Sequence, residues 1–263
     1  MTPADHTGMV EPMLHDLRAF GIQDIAGCSK SIRDCGLNAS SMSEVAERTV
    51  RYFYDNLVNQ AVGARQCALV RFFKTHTYGD LDRDRRAFAS EILGHQSASD
   101  KLKCLVLLAT AGEASEWNSP ATSRKHRAIP LPSVELVNRM PMISNLVSQL
   151  GFDVSTVMTA QPELVLEPQE RKYGVFYVPD ALESPIIPDQ QQFVVPYGIK
   201  SVIGFGSLLP LGDMFAVIMF CKVAVPRSTV ELIKVLALST KVAIAPFDGV
   251  CVFDRVNPSE MRS

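Results

Sequence analysis

Between Tyr197 and Ala245 the chain is apolar at most positions, yet Pro210, Gly212 and Pro226 cut that stretch into three pieces. Gly198-Ile199-Lys200-Ser201 leads into a strand that runs to Leu209. Pro210-Leu211-Gly212-Asp213 reads as a tight turn, because proline presets φ and glycine tolerates φ above zero. Met214 to Val223 is a second strand, with β-branched and aromatic residues on both faces. After Pro226-Arg227-Ser228 the pattern predicts a helix from Thr229 to Ala245. A hairpin too apolar to face water must be covered, and the helix that follows is the nearest cover.

The same reading works upstream. Ser41-Met42-Ser43-Glu44 is a capping box, a hydroxyl followed three residues later by an acid. It starts a helix to about Val58 with Val45, Thr49, Tyr52, Phe53 and Leu57 on its apolar stripe. Cys67–Lys74 and Lys101–Ala109 predict central strands, apolar on both faces. Between them Leu81–Leu93 reads as a helix whose Asp82-Arg83-Asp84-Arg85-Arg86 run is a solvated, ion-paired face. Thr110–Pro132 is long, polar and locally basic, and holds the single tryptophan, Trp117. Loops of that length in a compact domain are lids or disordered segments. Ser133 caps a helix over Val134–Asn138, and Met142–Leu150 forms another. Val154–Leu166 is expected to be extended, Tyr173–Val178 a short strand, and Ala181–Gln192 irregular. At the start of the chain, Glu11–Phe20 and Asp24–Cys35 are expected as short helices.

Gly-Ile-x-Ser, an apolar strand, a Pro/Leu/Gly turn, a second apolar strand and a closing helix together resemble the C-terminal half of a GAF domain. With the earlier elements added, the similarity spans roughly Ser41–Ala245. The resemblance implies an α/β fold of α+β type: a central, mainly antiparallel five- or six-stranded sheet with helices on its faces. It divides the chain into a helical extension (1–40), a GAF-like domain (41–245) and a C-terminal tail (246–263). It also implies a sensory or regulatory module that binds a small molecule, similar to input domains of bacterial signalling proteins, with a signalling output protein as partner. In such folds the ligand lies between one sheet face and the crossing helices and loops. Candidate ligand-binding residues on the strands are then Arg71, Phe73, Tyr173, Tyr177, Phe205 and Phe215. Lys74 and His76 at a strand end, with Trp117 and His126 of the long loop, are expected to close over the ligand. Arg71 is the sharpest of these. A cation in an otherwise apolar strand is costly to bury unpaired, so it reaches the rim or meets an anion.

Other chemistries find little support. The formal net charge is −2, so no global field favours nucleic acid. No apolar run approaches the ~18 residues of a membrane span, and Met1-Thr2-Pro3-Ala4-Asp5-His6 lacks the pattern of an export signal. The expectation is a cytoplasmic protein with no membrane partner, its six cysteines reduced. Gly204-Phe205-Gly206 lacks the third glycine of a dinucleotide fingerprint, and no phosphate loop, Gly-x-Ser-x-Gly or His-Glu-x-x-His occurs. The five histidines have no metal-ligand spacing, and the sequence names no cofactor. Some GAF-like proteins are thiol-dependent reductases, which makes Cys67 and Cys104 the alternative reaction centre. If their strands pair antiparallel, however, the sulfurs lie at opposite ends. Relatives that attach a bilin need a Cys-His pair, and relatives that bind cyclic nucleotides carry an Asn-Lys…Phe…Asp-Glu pattern; neither is found here. The reading is therefore a non-catalytic domain for an unidentified small molecule. A protein-interaction module with a filled pocket is a further alternative. The closing helix is apolar around most of its circumference, which predicts burial against the N-terminal helices or in a homodimer.

Overall fold

The computed structural model describes residues 13–94, 97–123, 126–159 and 174–254. Its centre is a six-stranded sheet built from β1 (Cys67–Thr77), β2 (Lys103–Gly112), β3 (Ala128–Pro130), β4 (Val175–Val178), β5 (Ser201–Leu208) and β6 (Met214–Cys221). The order across the sheet is β3-β2-β1-β6-β5-β4, and every neighbouring pair is antiparallel. The first and last strands in sequence thus pair at the middle, and both are buried along nearly their whole length. This is an α+β architecture with a central antiparallel sheet of six strands and helices on its faces, as the resemblance stated above implies.

The apolar hairpin forms as expected. Pro210 enters the turn, Gly212 takes φ +88°, and the amide of Leu209 donates to the carbonyl of Asp213 at 2.7 Å. Two irregularities modulate the central strand. Ala68 is unpaired in the β1–β6 ladder and Leu108 in the β1–β2 ladder. An extra residue of this kind puts two consecutive side chains on one face. Leu108 and Ala109 accordingly share one core, and Ala68 and Leu69 the other.

The sheet separates these two cores. On one face α1 (Ile22–Cys35), α2 (Met42–Asn56) and, near the end of the chain, α8 (Leu236–Ile244) pack over Val70, Phe72, Phe205, Phe215 and Met219. Ser41 caps α2 by accepting from the Glu44 amide at 3.0 Å. Glu44 turns instead to the amide and hydroxyl of Ser40, so only half of the predicted capping box closes. Residues 251–252 come back to this point: their carbonyls accept from the amides of Met42 and Ser43 at 2.9 Å. These first-turn amides have no partner inside the helix, and the returning segment satisfies them. On the other face, after α3 (Arg83–Leu93), lie α4 (Val134–Asn138), α5 (Pro141–Gln149) and α6 (Val154–Thr159). Their buried residues Val137, Leu146, Val147 and Val157 pack with Leu69, Phe73, Phe176 and Phe220 of the sheet.

Three local expectations are corrected. Residues 13–20 are not helical: the His15 amide donates to the Asn56 carbonyl and the Val58 amide to the His15 carbonyl, both at 2.9 Å. That bridge to the end of α2 competes directly with helical hydrogen bonding. The first part of Val154–Leu166, predicted as extended, is helical to Thr159; Val157 donates to the Asp153 carbonyl and is buried among α4 and α5. Packing overrides the β-branched bias of Val154, Thr156 and Val157. The remainder of that stretch lies outside the described residues. The closing helix is two helices, α7 (Arg227–Ile233) and α8, because i to i+3 bonds from Val235, Ala237 and Leu238 tighten the backbone between them. α8 still covers the hairpin, and α1 takes up part of its apolar excess, with Gly36 packed against Ala243. Val235, Leu238 and Val242 stay half-exposed.

Candidate functional site

A cavity of about 620 Å³ opens on the face of the sheet opposite α1, α2 and α8. Its floor is strand: Leu69, Arg71 and Phe73 of β1, Leu105 of β2, and Ile218 and Phe220 of β6. The period-two alternation of strands places these side chains together, since residues 69, 71 and 73 share a face. One wall is the amphipathic α5, which turns Met142, Ile143 and Leu146 toward the space. The opposite wall is the proline-rich segment 185–188 followed by a single π turn, Gln190–Val194. Asp189 starts that turn at φ +57°, a conformation that aspartate tolerates better than most residues. Its carbonyl accepts from the amide of Phe193 at 2.8 Å, which sets the Phe193 ring against the cavity.

Aromatic rings close one end. Trp117 lies 4.4 Å from Tyr197 and 5.3 Å from Phe193 between ring centroids, and Phe193 stands edge-on to Phe220 at 5.0 Å. Edge-to-face rings at these spacings add roughly 0.5–1.5 kcal/mol per pair beyond their buried area. Gly112 permits this arrangement. A Cβ there would come within 2.9 Å of the Trp117 ring and 3.0 Å of the Ala68 carbonyl. Asn118 holds the same loop by donating to the carbonyls of Gly112 and Ala114.

Arg71 dominates the floor. It sits in the central strand, opposite Thr110 on one side and Ile218 on the other. Only 9% of its surface is exposed, and no hydrogen bond or ion pair to it forms among the described residues. Its Nε is buried without a partner, as are the hydroxyls of Thr110 beside it and of Ser123 in the cavity wall. Burial alone lowers the guanidinium to about 10, so it remains a cation at neutral pH. Among the described residues, the carboxylates that border the cavity, Glu116 and Asp189, are solvent-exposed at its mouth.

Of the residues singled out from sequence, Arg71, Phe73, Trp117 and His126 line this cavity together. Tyr173 lies outside the described residues. The other five do not line it. Phe205 and Phe215 point into the opposite core, Phe205 against Phe53 and Phe215 stacked on Phe72. Tyr177 packs with that core and donates its hydroxyl to the Val225 carbonyl at 2.6 Å. Strand alternation explains all three: each is an even step away from residues of the helix-covered face. Lys74 is 1% exposed and ion-paired to Asp213 at 2.7 Å, with Asp248 at 3.7 Å. Lys103 reaches the second oxygen of Asp213 at 2.7 Å, and Thr75 donates to it at 3.1 Å. His76 packs its ring edge-on against Phe253 at 5.0 Å.

Sequence reasoning missed the α5 wall, Phe193 and Tyr197. The stripe Met142, Ile143, Leu146 has helical spacing, and ordinary core packing produces the same spacing. The signal for Phe193 and Tyr197 was their place just after a proline-rich irregular segment, which is where binding loops concentrate.

The location of His76 gives it a distinct pH response. Burial, followed by the charge of Lys74, lowers its imidazole to about 4 from an ordinary 6.5, against opposing pulls from Asp213 and Asp80. A depressed histidine favours folding in its neutral form. The protein therefore holds its full stability from this group above about pH 6.5 and loses up to about 3 kcal/mol as pH falls toward 4. Urea titrations across that range should show the loss, and His76→Gln should flatten it.

The thiols occupy other places. Cys104 pairs across the sheet with His76, at the far end of β1 from Cys67. Both point into the helix-covered core with Cys221, whose sulfur lies 4.0 Å from that of Cys67. Burial pushes the Cys104 thiol up to about 12, which disfavours a nucleophilic thiolate. Among the described residues, no cluster of three or more histidine, cysteine or acidic side chains is placed to hold a metal ion. Nor is any helix among them long and apolar enough to cross a membrane.

No protein-family model matches the chain, and no curated protein sequence matches it. Among solved structures the chain is similar to the far-red absorbing dark state of JSC1_58120g3 with bound biliverdin IXa. The identity is 11%, over 85% of this chain and 98% of that one, at a TM-score of 0.38.

Proposed function

We propose that this chain is a non-catalytic, GAF-like sensory or regulatory domain that takes a small organic molecule into the cavity over β1 and β6. One observation carries the reading: a space of about 620 Å³, walled largely by aliphatic and aromatic side chains, ends on a buried guanidinium that no other described residue engages. Binding sites for drug-sized molecules have roughly 300–1,000 Å³ and this mixture of apolar wall and few polar groups. Space of that size weighs against the interaction module with a filled pocket. The location of Cys67 and Cys104 in the other core weighs against the thiol-redox alternative.

Trp117 reports on occupancy, because it stands at the aromatic end of the cavity. Native mass spectrometry of the purified chain should show a retained small molecule, released on denaturation. Stripping it should change Trp117 emission, and adding it back should restore the original spectrum. A bare mass, together with emission unmoved by any compound shown to bind, would count against the reading.

We extend the proposal to assembly. Val235, Leu238 and Val242 form a half-exposed apolar row at the end of α7 and along α8, suited to a homodimer that would pass the ligand state to a signalling output protein. A strictly monomeric mass at micromolar concentration would remove that extension.

A further inference from the structure

Among the described residues Arg71 is the one charged side chain on the strand floor of the cavity; the other polar lining residues, Glu116, Thr122, Ser123, His126, Asp189 and Gln192, belong to the loops and turns around it. Arg71 lies in the middle strand of the sheet, between Thr110 and Ile218, with 9% of its surface exposed. Its neighbours on the same strand face are Leu69 and Phe73, both apolar and both lining the cavity. The guanidinium has no partner among the described residues, and its Nε is sealed from solvent. A buried charge in this situation is costly unless something of opposite sign joins it. Side chains of the protein do not serve. Among the described residues, Glu116 and Asp189 stand exposed at the mouth, and no other carboxylate lines the cavity.

We infer that the cavity is built for an amphipathic monocarboxylate, its acid group forked on Arg71 and its apolar or aromatic body lying between α5 and the Trp117–Phe193–Tyr197 cluster. This rests on the proposed ligand-binding role and adds the chemical class. The shape of the charge decides the class. A planar guanidinium offers parallel N–H donors that match a carboxylate, and such charge-assisted bonds are about twice as strong as neutral ones. One cation neutralises one negative charge. A phosphate ester, near −2 at neutral pH, would remain uncompensated in a space whose other floor residues are Leu69, Phe73, Leu105, Ile218 and Phe220. The Ser123 hydroxyl, buried and unpartnered in the wall, supplies one further hydrogen bond for a polar atom of the ligand. Apolar contact with the remaining wall then provides affinity without selectivity, while Arg71 provides selectivity for the acid.

The test compares each acid with its uncharged, near-isosteric amide on the full chain, stripped of any retained molecule. The probes are 1-naphthylacetic acid against 1-naphthylacetamide, and dodecanoic acid against dodecanamide, by calorimetry and Trp117 emission at pH 7.5. At least one acid should bind about tenfold or more tightly than its amide, which corresponds to ~1.4 kcal/mol. Arg71→Gln should abolish the preference, bringing the acid-to-amide affinity ratio to about one. Equal binding of acid and amide to the native chain would overturn the carboxylate class while leaving a ligand-binding cavity in place. A preference that survives in R71Q would overturn the role of Arg71. Binding of none of the four, with no molecule retained on purification, would overturn both this inference and the reading on which it rests. Should R71Q fail to fold, the acid-to-amide ratio of the native chain still decides the class, and Arg71→Lys decides geometry: lysine keeps the charge but loses the fork, so the preference should fall without vanishing.

Discussion

Replacing Asp213 with alanine lowers the unfolding free energy by about 3–5 kcal/mol, the largest loss expected from any single polar substitution here. Asp213 follows the Pro210–Gly212 turn and anchors three groups at once. It accepts from Lys74 at 2.7 Å, from Lys103 at 2.7 Å and from the Thr75 hydroxyl at 3.1 Å. Lys74 is the vulnerable partner, being 1% exposed. Without Asp213 its ammonium would retain only the Thr75 carbonyl at 3.0 Å and Asp248 at 3.7 Å. Burial raises the Asp213 carboxyl, but Lys74 and Lys103 outweigh burial and leave it below the ordinary aspartate range. A depressed carboxylate stabilises the fold above its unfolded pKa and loses that contribution as pH falls through its folded one. Acid unfolding from Asp213 therefore begins below the pH range in which His76 acts, and D213A should remove that later phase. Chemical denaturation of D213A and D213N at pH 7.5 checks the magnitude. A loss below about 1 kcal/mol in both would mean that the ionic cluster is not the buried, cooperative unit its distances describe.

Arg71→Met raises the stability of the empty protein by about 2–3 kcal/mol, an unusual sign for a substitution in a central strand. Burial lowers the guanidinium from 12.5 to about 10, and no partner offsets it. That displacement corresponds to roughly 3 kcal/mol at most, since each unit is worth about 1.4 kcal/mol. Methionine keeps the length and flexibility of the arginine stem without the charge, so it fits the floor beside Leu69 and Phe73 with little strain. In a domain of this size the gain shifts the melting temperature by several degrees, at roughly 2–4 °C per kcal/mol. Binding should move the other way, with R71M losing its selectivity for acids. Stability spent on an unpaired charge at a binding site is a trade that natural proteins make repeatedly. A destabilised R71M would show instead that the arginine serves the packing of the floor.

Much of the architecture was legible from the chain alone. Pro210, Gly212 and the flanking β-branched runs specify the β5–β6 hairpin because turn chemistry and strand propensity act within a few residues. Ser41 and Ser133 mark helix starts for the same reason, since a cap is a contact over three residues. The charge of Arg71 was visible too, as the one strong conflict inside an apolar strand. Local patterns misled where a distant partner competed for the same backbone, as Leu57 does for His15.

Which face of the sheet holds open space was beyond local pattern. Phe73 and Phe215 are equivalent by alternation and by hydrophobicity, yet one borders the cavity and the other packs under the helices. Both faces of β1 and β6 are apolar, so period two sorts their residues into two sets without naming either set. The choice arises because α1, α2 and α8 fit closely on one side, while α5 and the segment 185–197 stand off from the other. The same holds for Lys74, whose neighbours in sequence are strand residues and whose carboxylate lies 139 positions away. Short-range chemistry shaped the strands and caps of this protein; where its empty space and its buried charges came to rest depended on how the layers met.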